Sequence, residues 1–270
     1  MKGSQIKNIL RGKTALVTGA SSGLGADFAR QLAECGCHLV LVARRAERLR
    51  ELQEEISSSH RVSIECVPMD LVETDAPLRL YNQVTDLGRP IDVLVNNAGM
   101  AVFGEFADVT WENLHHMLEL DIVAVTYLAH LFVTDMLKRG SGYILFVSSI
   151  GAFQPSPTFA AYSAAKSYVL SLGEALHFEL RRKGVLCTTL CPGVARTEFH
   201  SITGQRLTPY QRSMMMESNA VVRIGIEAML SGRSSVVTGR LNRLIAWALR
   251  MLPGQVSASL AYWGMRESPH

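Results

Sequence analysis

Short runs of apolar residues alternate along this chain with longer stretches in which apolar positions recur every three or four residues. Runs such as Leu39-Val40-Leu41-Val42 carry no polar alternation, as in strands covered on both faces. The pattern predicts strands near 14–18, 38–43, 62–67, 92–96, 142–148, 185–190 and 235–238. It predicts helices near 23–34, 45–57, 74–86, 110–138, 158–182 and 218–230. Strand and helix in regular alternation imply a mainly parallel sheet of seven strands with helices on both faces. Ser57-Ser58-Ser59 and Leu87-Gly88-Arg89-Pro90 punctuate it as loops. One stretch, 193–217, has no clear period and carries Phe199, Ile202, Leu207, Tyr210 and Met214-Met215-Met216. Loops of that length often serve as lids, and methionine suits adaptable apolar contacts. Near the end, Leu241, Leu244, Ile245, Ala248, Leu249 and Leu252 mark one face of a helix, with Arg243 and Arg250 off it. The expected organisation is therefore a main domain over 1–238, its lid at about 193–217, and an amphipathic helical extension over 239–270.

Composition narrows the picture. With 270 residues and 48% hydrophobic content, the chain can fill one large core. A net charge of +3 is too small for a nucleic-acid footprint, so no such partner is expected. The five cysteines, Cys35, Cys37, Cys66, Cys187 and Cys191, form no metal-ligand spacing, and reduced thiols in a cytoplasmic protein are the plain expectation. No metal site is expected. Residues 1–13 are polar and basic, unlike a secretory signal, and no uninterrupted apolar run reaches the roughly 18 residues of a membrane span.

The chemistry concentrates in a few places. Tyr162 and Lys166 are four residues apart and share a helix face. A phenol titrates near 10, and a neighbouring cation favours its ionised form, bringing it toward use as an acid or base. Ser149, thirteen residues upstream of Tyr162, offers a hydroxyl to hold an oxygen beside that phenol. Its neighbour Ser148 faces the other way if the strand continues. Thr18-Gly19-Ala20-Ser21-Ser22-Gly23-Leu24-Gly25 lies between a strand and a helix, where glycines let backbone approach a pyrophosphate and the helix N-terminus favours anions. The second strand ends in Ala43-Arg44-Arg45 rather than a carboxylate. Two guanidinium groups there suit a 2′-phosphate, which points to NADP(H) over NAD(H), with Arg44 nearest the strand end.

The ordered set Thr18-Gly-x-x-x-Gly-x-Gly25, Asp70, Asn96-Asn97-Ala98-Gly99, Ser149, Tyr162, Lys166, Pro192-Gly193 and Thr197 resembles the short-chain dehydrogenase/reductase family over nearly the whole chain. Thr197-Glu198-Phe199 and the late run Leu241 to Pro253 look like its branch of broad-specificity bacterial reductases. The resemblance implies a single Rossmann-like, doubly wound domain. It implies cofactor contacts from Gly19, Ser21, Ser22, Gly23, Leu24 and Gly25, from Asp70 and Leu71 at the adenine, and from Asn97, Ala98 and Gly99. It adds Pro192, Gly193, Val194 and Thr197 along the nicotinamide, with Tyr162 and Lys166 at the ribose. Hydride then moves between cofactor and carbonyl carbon while Tyr162 exchanges the proton, Lys166 lowers the Tyr162 pKa, and Ser149 positions the oxygen. A hydrophobic ketone or aldehyde, or the matching alcohol, is the expected substrate. A homodimer or homotetramer through 110–138 and 158–182 is implied by the same resemblance.

One position departs from the family. Asp121 stands where the resemblance expects an asparagine of the proton relay. An ionised Asp only accepts hydrogen bonds, and its charge opposes the phenolate. Asp121 is also what favours an alternative function, an NADP(H)-binding sensor or partner with little turnover. The helix at 241–252 is expected to dock on its own domain or on a second subunit, with weak contact at a membrane surface as the alternative.

Overall fold

The computed structural model describes residues 3–198 and 208–265. Seven strands form one sheet: β1 (Thr14–Thr18), β2 (His38–Ala43), β3 (Ile64–Pro68), β4 (Val93–Asn96), β5 (Gly142–Val147), β6 (Val185–Cys191) and β9 (Ser235–Val237). Their order is β3-β2-β1-β4-β5-β6-β9, and every pairing is parallel. In β1 and β4 every residue is buried, as expected for strands covered on both faces. The order reverses between β1 and β4, and the crevice beyond the carboxyl ends of these strands is where such sheets bind ligands.

One face of the sheet is covered by α1 (Gly3–Leu10), α2 (Gly23–Glu34), α3 (Ala46–Ser59) and α9 (Ser218–Leu230), with Phe28 fully buried at its centre. The other is covered by α4 (Ala76–Asp86), α6 (Val125–Arg139) and α7 (Ala160–Leu180). There the Phe132 and Tyr81 rings meet edge-on at 5.3 Å. Helix α1 falls in the stretch that looked merely polar. Ile6 and Leu10 stand four residues apart and enter the core, and the Cys37 thiol donates to the Leu10 carbonyl at 3.3 Å. All five cysteines are free, and burial pushes the thiols of Cys37, Cys187 and Cys191 up to about 12, so they act as packing groups.

The helix expected over 110–138 is not uniform. It runs as α5 (Trp111–Leu118), a π turn over Glu119–Ala124, and α6. By length and apolar composition the whole stretch Trp111–Arg139 could cross a membrane, yet α6 packs against α4, β4 and β5. The base of the segment 193–217 is held by a short parallel pair, β7 (Ala195–Arg196) with β8 (Met216–Glu217), and α8 (Pro209–Ser213) leads back to it. Phe199, Ile202 and Leu207 lie outside the described residues.

The C-terminal extension holds two helices, α10 (Arg240–Met251) and α11 (Gly254–Met265), where one was expected. The buried face of α10 is Asn242, Ile245, Ala246 and Leu249, rotated from the predicted stripe, so Leu241 and Leu244 face solvent. The rotation follows from Asn242. Its amide donates to the Thr238 carbonyl at 2.8 Å and lies against the bare backbone of Gly193, where an added Cβ would come within 2.2 Å of it. A polar contact thus selects which of several apolar faces turns inward.

Candidate active site

A single cavity of about 1080 Å³ runs along the carboxyl edge of the sheet from the glycine turn to the C-terminal helices. Its nucleotide end is built from backbone. Gly19 and Gly23 have φ of +66° and +55°, which side chains rarely adopt. At Gly25 an added Cβ would lie 2.1 Å from the Gly19 carbonyl oxygen, so the turn closes only with glycine there. Ser22 is the N-cap of α2, and Ser21, Ser22, Gly23 and Leu24 all face the cavity beside the positive end of that helix. Asn97 locks the turn to β4: its amide donates to the carbonyls of Thr18 at 2.9 Å and Gly19 at 3.3 Å.

Both arginines after β2 line this end, in different ways. Arg45 reaches over the turn, donating to Ser21 Oγ at 3.1 Å and Ser22 Oγ at 2.8 Å, and pairs with Glu198 at 3.3 Å. Arg44, the one favoured from sequence, is largely exposed and stands 3.7 Å from Asp70. The Asp70 carboxylate also accepts from Val72 N–H, and Leu71 packs beside it. Ala98, Gly99, Pro192, Gly193, Val194 and Thr197 continue the wall; of the residues expected at the cofactor, Gly25 alone does not border this cavity and instead closes the turn behind it. Backbone donors and cations at one end of a slot of this volume, with a proton-transfer group at its middle, fit a nicotinamide dinucleotide.

At the middle of the cavity Ser149, Tyr162 and Lys166 come together. Ser149 caps the short turn Ile150–Phe153, accepting from Gly151 N–H at 3.1 Å, and its hydroxyl hydrogen-bonds the Tyr162 phenol. Ser148 points away, as alternation along a strand requires, and donates to the Lys166 carbonyl at 2.7 Å. Lys166 Nζ lies 5.6 Å from the Tyr162 ring centroid and 3.4 Å from the Val147 carbonyl it donates to. Cys191 is buried nearby, with its thiol held protonated.

Asp121 projects from the π turn into this group. Its Oδ2 is 2.9 Å from Lys166 Nζ, its Oδ1 accepts from Met100 N–H at 2.8 Å, and it is fully buried. Burial drives the carboxyl upward, while Lys166 and Met100 hold it down. For Lys166, burial works against the charge, and Asp121 and Tyr162 together outweigh it, so the ammonium stays above its ordinary value. The two charges stabilise one another where neither would be tolerated alone. Tyr162 is raised above the ordinary phenol value by burial and by Asp121, against the pull of Lys166 and Ser149.

The far end was the least visible from sequence. Met100, Val102, Phe103, Leu120, Phe159 and Met214 bring apolar surface, and the C-terminal helices add Ile245, Leu249 and Leu260. Polar groups are sparse there: Asn113, His116, Gln154 and Gln211. Ile245 and Leu249 carried a visible stripe but no sign that it faced a cavity. His116 had no partner spacing to single it out, and α11 lacked a clear amphipathic period.

Residues 13–206 match the short chain dehydrogenase family. A short chain dehydrogenase of Pseudocercospora fijiensis is 34% identical over 220 residues, 79% of this chain and 70% of that protein. Among solved structures, a short-chain dehydrogenase from Sphingobium yanoikuyae in complex with NADPH is 30% identical with a TM-score of 0.80, covering 87% of this chain and 92% of that one. The bulky-bulky ketone specific alcohol dehydrogenase from Comamonas testosteroni is 27% identical with a TM-score of 0.75, covering 88% and 93%.

Proposed function

Because the chain belongs to the short-chain dehydrogenase/reductase family, and so is an oxidoreductase acting on CH–OH groups with a nicotinamide cofactor, we propose that it is an NADP(H)-dependent reductase of apolar ketones or aldehydes. The observation that carries this reading is the placement of Ser149, Tyr162 and Lys166 midway along one cavity, between two arginines and an apolar chamber. Bound at the glycine turn, the cofactor supplies or takes up the hydride.

The chain's own residues do the rest. Ser149 and Tyr162 together orient the substrate oxygen, with the Tyr162 O–H as proton donor to the alkoxide that develops in reduction. Lys166 stabilises the phenolate left behind, and the same ammonium is placed to bind ribose hydroxyls. Asp121 fixes Lys166 and tempers its charge. Burial and Asp121 keep the Tyr162 phenol protonated, so it holds the proton that carbonyl reduction consumes. Arg44 and Arg45 give the preference for a 2′-phosphate. The apolar far end selects the substrate class, and the relative that the Comamonas testosteroni structure describes as bulky-bulky ketone specific supports a roomy chamber. The described part of the segment 193–217 borders the chamber through Gln211 and Met214, with α10 and α11 as a wall.

Against the sensor reading stands the position of Lys166, held beside Tyr162 with the Asp121 pair formed. The test is NADPH oxidation with a panel of bulky and small ketones and aldehydes. Tyr162→Phe should lower turnover by about 100- to 10,000-fold while NADPH affinity stays within about twofold. Near-normal turnover in that variant would remove Tyr162 from the reaction, and an unmutated protein that binds NADPH without consuming it on any carbonyl would return the sensor reading.

A further inference from the structure

Half of the sixteen large apolar side chains exposed among the described residues lie between 241 and 263. Helix α10 turns Leu244, Trp247 and Met251, at i, i+3 and i+7, away from the domain, with exposures of 65%, 67% and 72%. Helix α11 repeats the arrangement with Val256, Leu260 and Trp263, at i, i+4 and i+7. The opposite face of α10 is already occupied by the domain through Asn242, Ala246 and Leu249, so the outward stripe is surplus to the fold.

Charge says what such a surface meets. From 228 to 266 the chain has no Asp or Glu, yet it holds Arg233, Arg240, Arg243, Arg250 and Arg266. Arg250 is committed to Glu174 and the Phe153 ring. Arg240 and Arg243 are exposed, Arg240 on the Leu244–Trp247–Met251 face and Arg243 on its flank. Outward leucine and tryptophan with arginine at the edge, and no acidic side chain on α10 or α11 themselves, match the boundary of an anionic bilayer. An interface between two proteins of ordinary composition calls for no such one-signed charge. Leu260 belongs to both surfaces, lining the cavity while 55% exposed.

We propose that α10 and α11 dock this enzyme on the surface of an anionic lipid bilayer, with Leu244, Trp247, Met251, Val256, Leu260 and Trp263 seated at the headgroup boundary and Arg240 and Arg243 against lipid phosphates. Docking in this way sets the α11 wall of the cavity at the lipid surface.

The test uses the full chain, floated with vesicles of phosphatidylcholine alone and of phosphatidylcholine with phosphatidylglycerol. Binding should occur on the mixed vesicles, fall steeply with added salt, and be at least tenfold weaker on phosphatidylcholine alone. Leu244→Glu with Trp247→Glu should abolish it, while reduction of a water-soluble carbonyl continues unchanged. Arg240→Gln with Arg243→Gln, which leaves the apolar stripe whole, should weaken binding roughly 30-fold, at about 1 kcal/mol for each arginine. Absence of binding to the mixed vesicles overturns the proposal. So does binding that survives the glutamate variant, which would assign it to another surface. Self-association that the glutamate variant abolishes, without lipid binding, would make this face a contact between copies of the chain.

Discussion

The two ends of the cavity are made of different material. The nucleotide end is backbone: Gly19 and Gly25 fold against one another and against Asn97, and Gly23 against Thr197, with distances too short to admit even a methyl group at Gly25. The far end is side chain: Met100, Phe103, Met214, Ile245 and Leu249 come from loops and from helices appended after the sheet. A backbone site tolerates almost no change in residue type. A side-chain site can exchange one apolar group for another at the cost of shape alone. The first end can therefore serve one cofactor, while the second is free to vary its substrate.

Substitutions can break or sharpen that contrast. The largest effect is expected at Gly25→Ala, whose methyl group would meet the immovable Gly19 carbonyl at 2.1 Å. NADPH affinity should fall by roughly 100-fold, the upper end of overpacking costs, as measured by quenching of protein fluorescence. Wild-type affinity would show that the turn can open. Next comes the pair Arg44→Ala with Arg45→Ala. It should erase an NADP(H) preference of about tenfold, or about 1.4 kcal/mol, with NAD(H) affinity hardly altered. Equal affinities in the unmutated protein would remove the arginines from the account. At the far end, Ile245→Ala should raise KM for a bulky ketone by roughly fivefold and leave NADPH affinity unchanged. If cofactor affinity falls instead, the two ends are not separable.

The smallest effect on rate is expected from Asp121→Asn, which changes charge without changing volume. Asp121 raises the Tyr162 pKa, so its removal lowers that pKa. Alcohol oxidation needs the phenolate, and its pH profile should move toward acid. Carbonyl reduction needs the protonated phenol, and its alkaline limb should move the same way. Unmoved profiles would mean that Lys166 alone sets the titration of Tyr162.

Legibility in the sequence followed the same division. The strands and the six central helices lie within two residues of where hydrophobic periodicity puts them, because uninterrupted apolar runs have few other uses. The glycine turn, Ser149, Tyr162 and Lys166 were legible because their chemistry demands particular residues at particular spacings. Asp121 was legible as a departure from the family's pattern; its ion pair with Lys166 came from the structure. The π turn was not, since 119–124 carries the same periodicity as the helix around it. The apolar far wall was not legible either: Ile245 and Leu249 look identical whether they face a core, a cavity or a partner. The inward face of α10 depended on Asn242, a residue that hydrophobic patterning counts as outward.

The π turn also makes the chain measurable by deletion. A wide turn accommodates one residue more than an α-helix would over the same length. Removing a single residue between 119 and 124 would let α5 and α6 join as one continuous helix, their packed faces nearly in phase. A shortening of that kind is ruinous in most helix interiors; here the fold has a place to absorb it. What it cannot absorb is the aim of Asp121, because the carboxylate reaches Lys166 from the wide turn itself. The domain's length thus carries one residue that shapes the active centre rather than the scaffold, and a shortened chain that melts normally yet has lost the Asp121–Lys166 contact would show the two jobs coming apart.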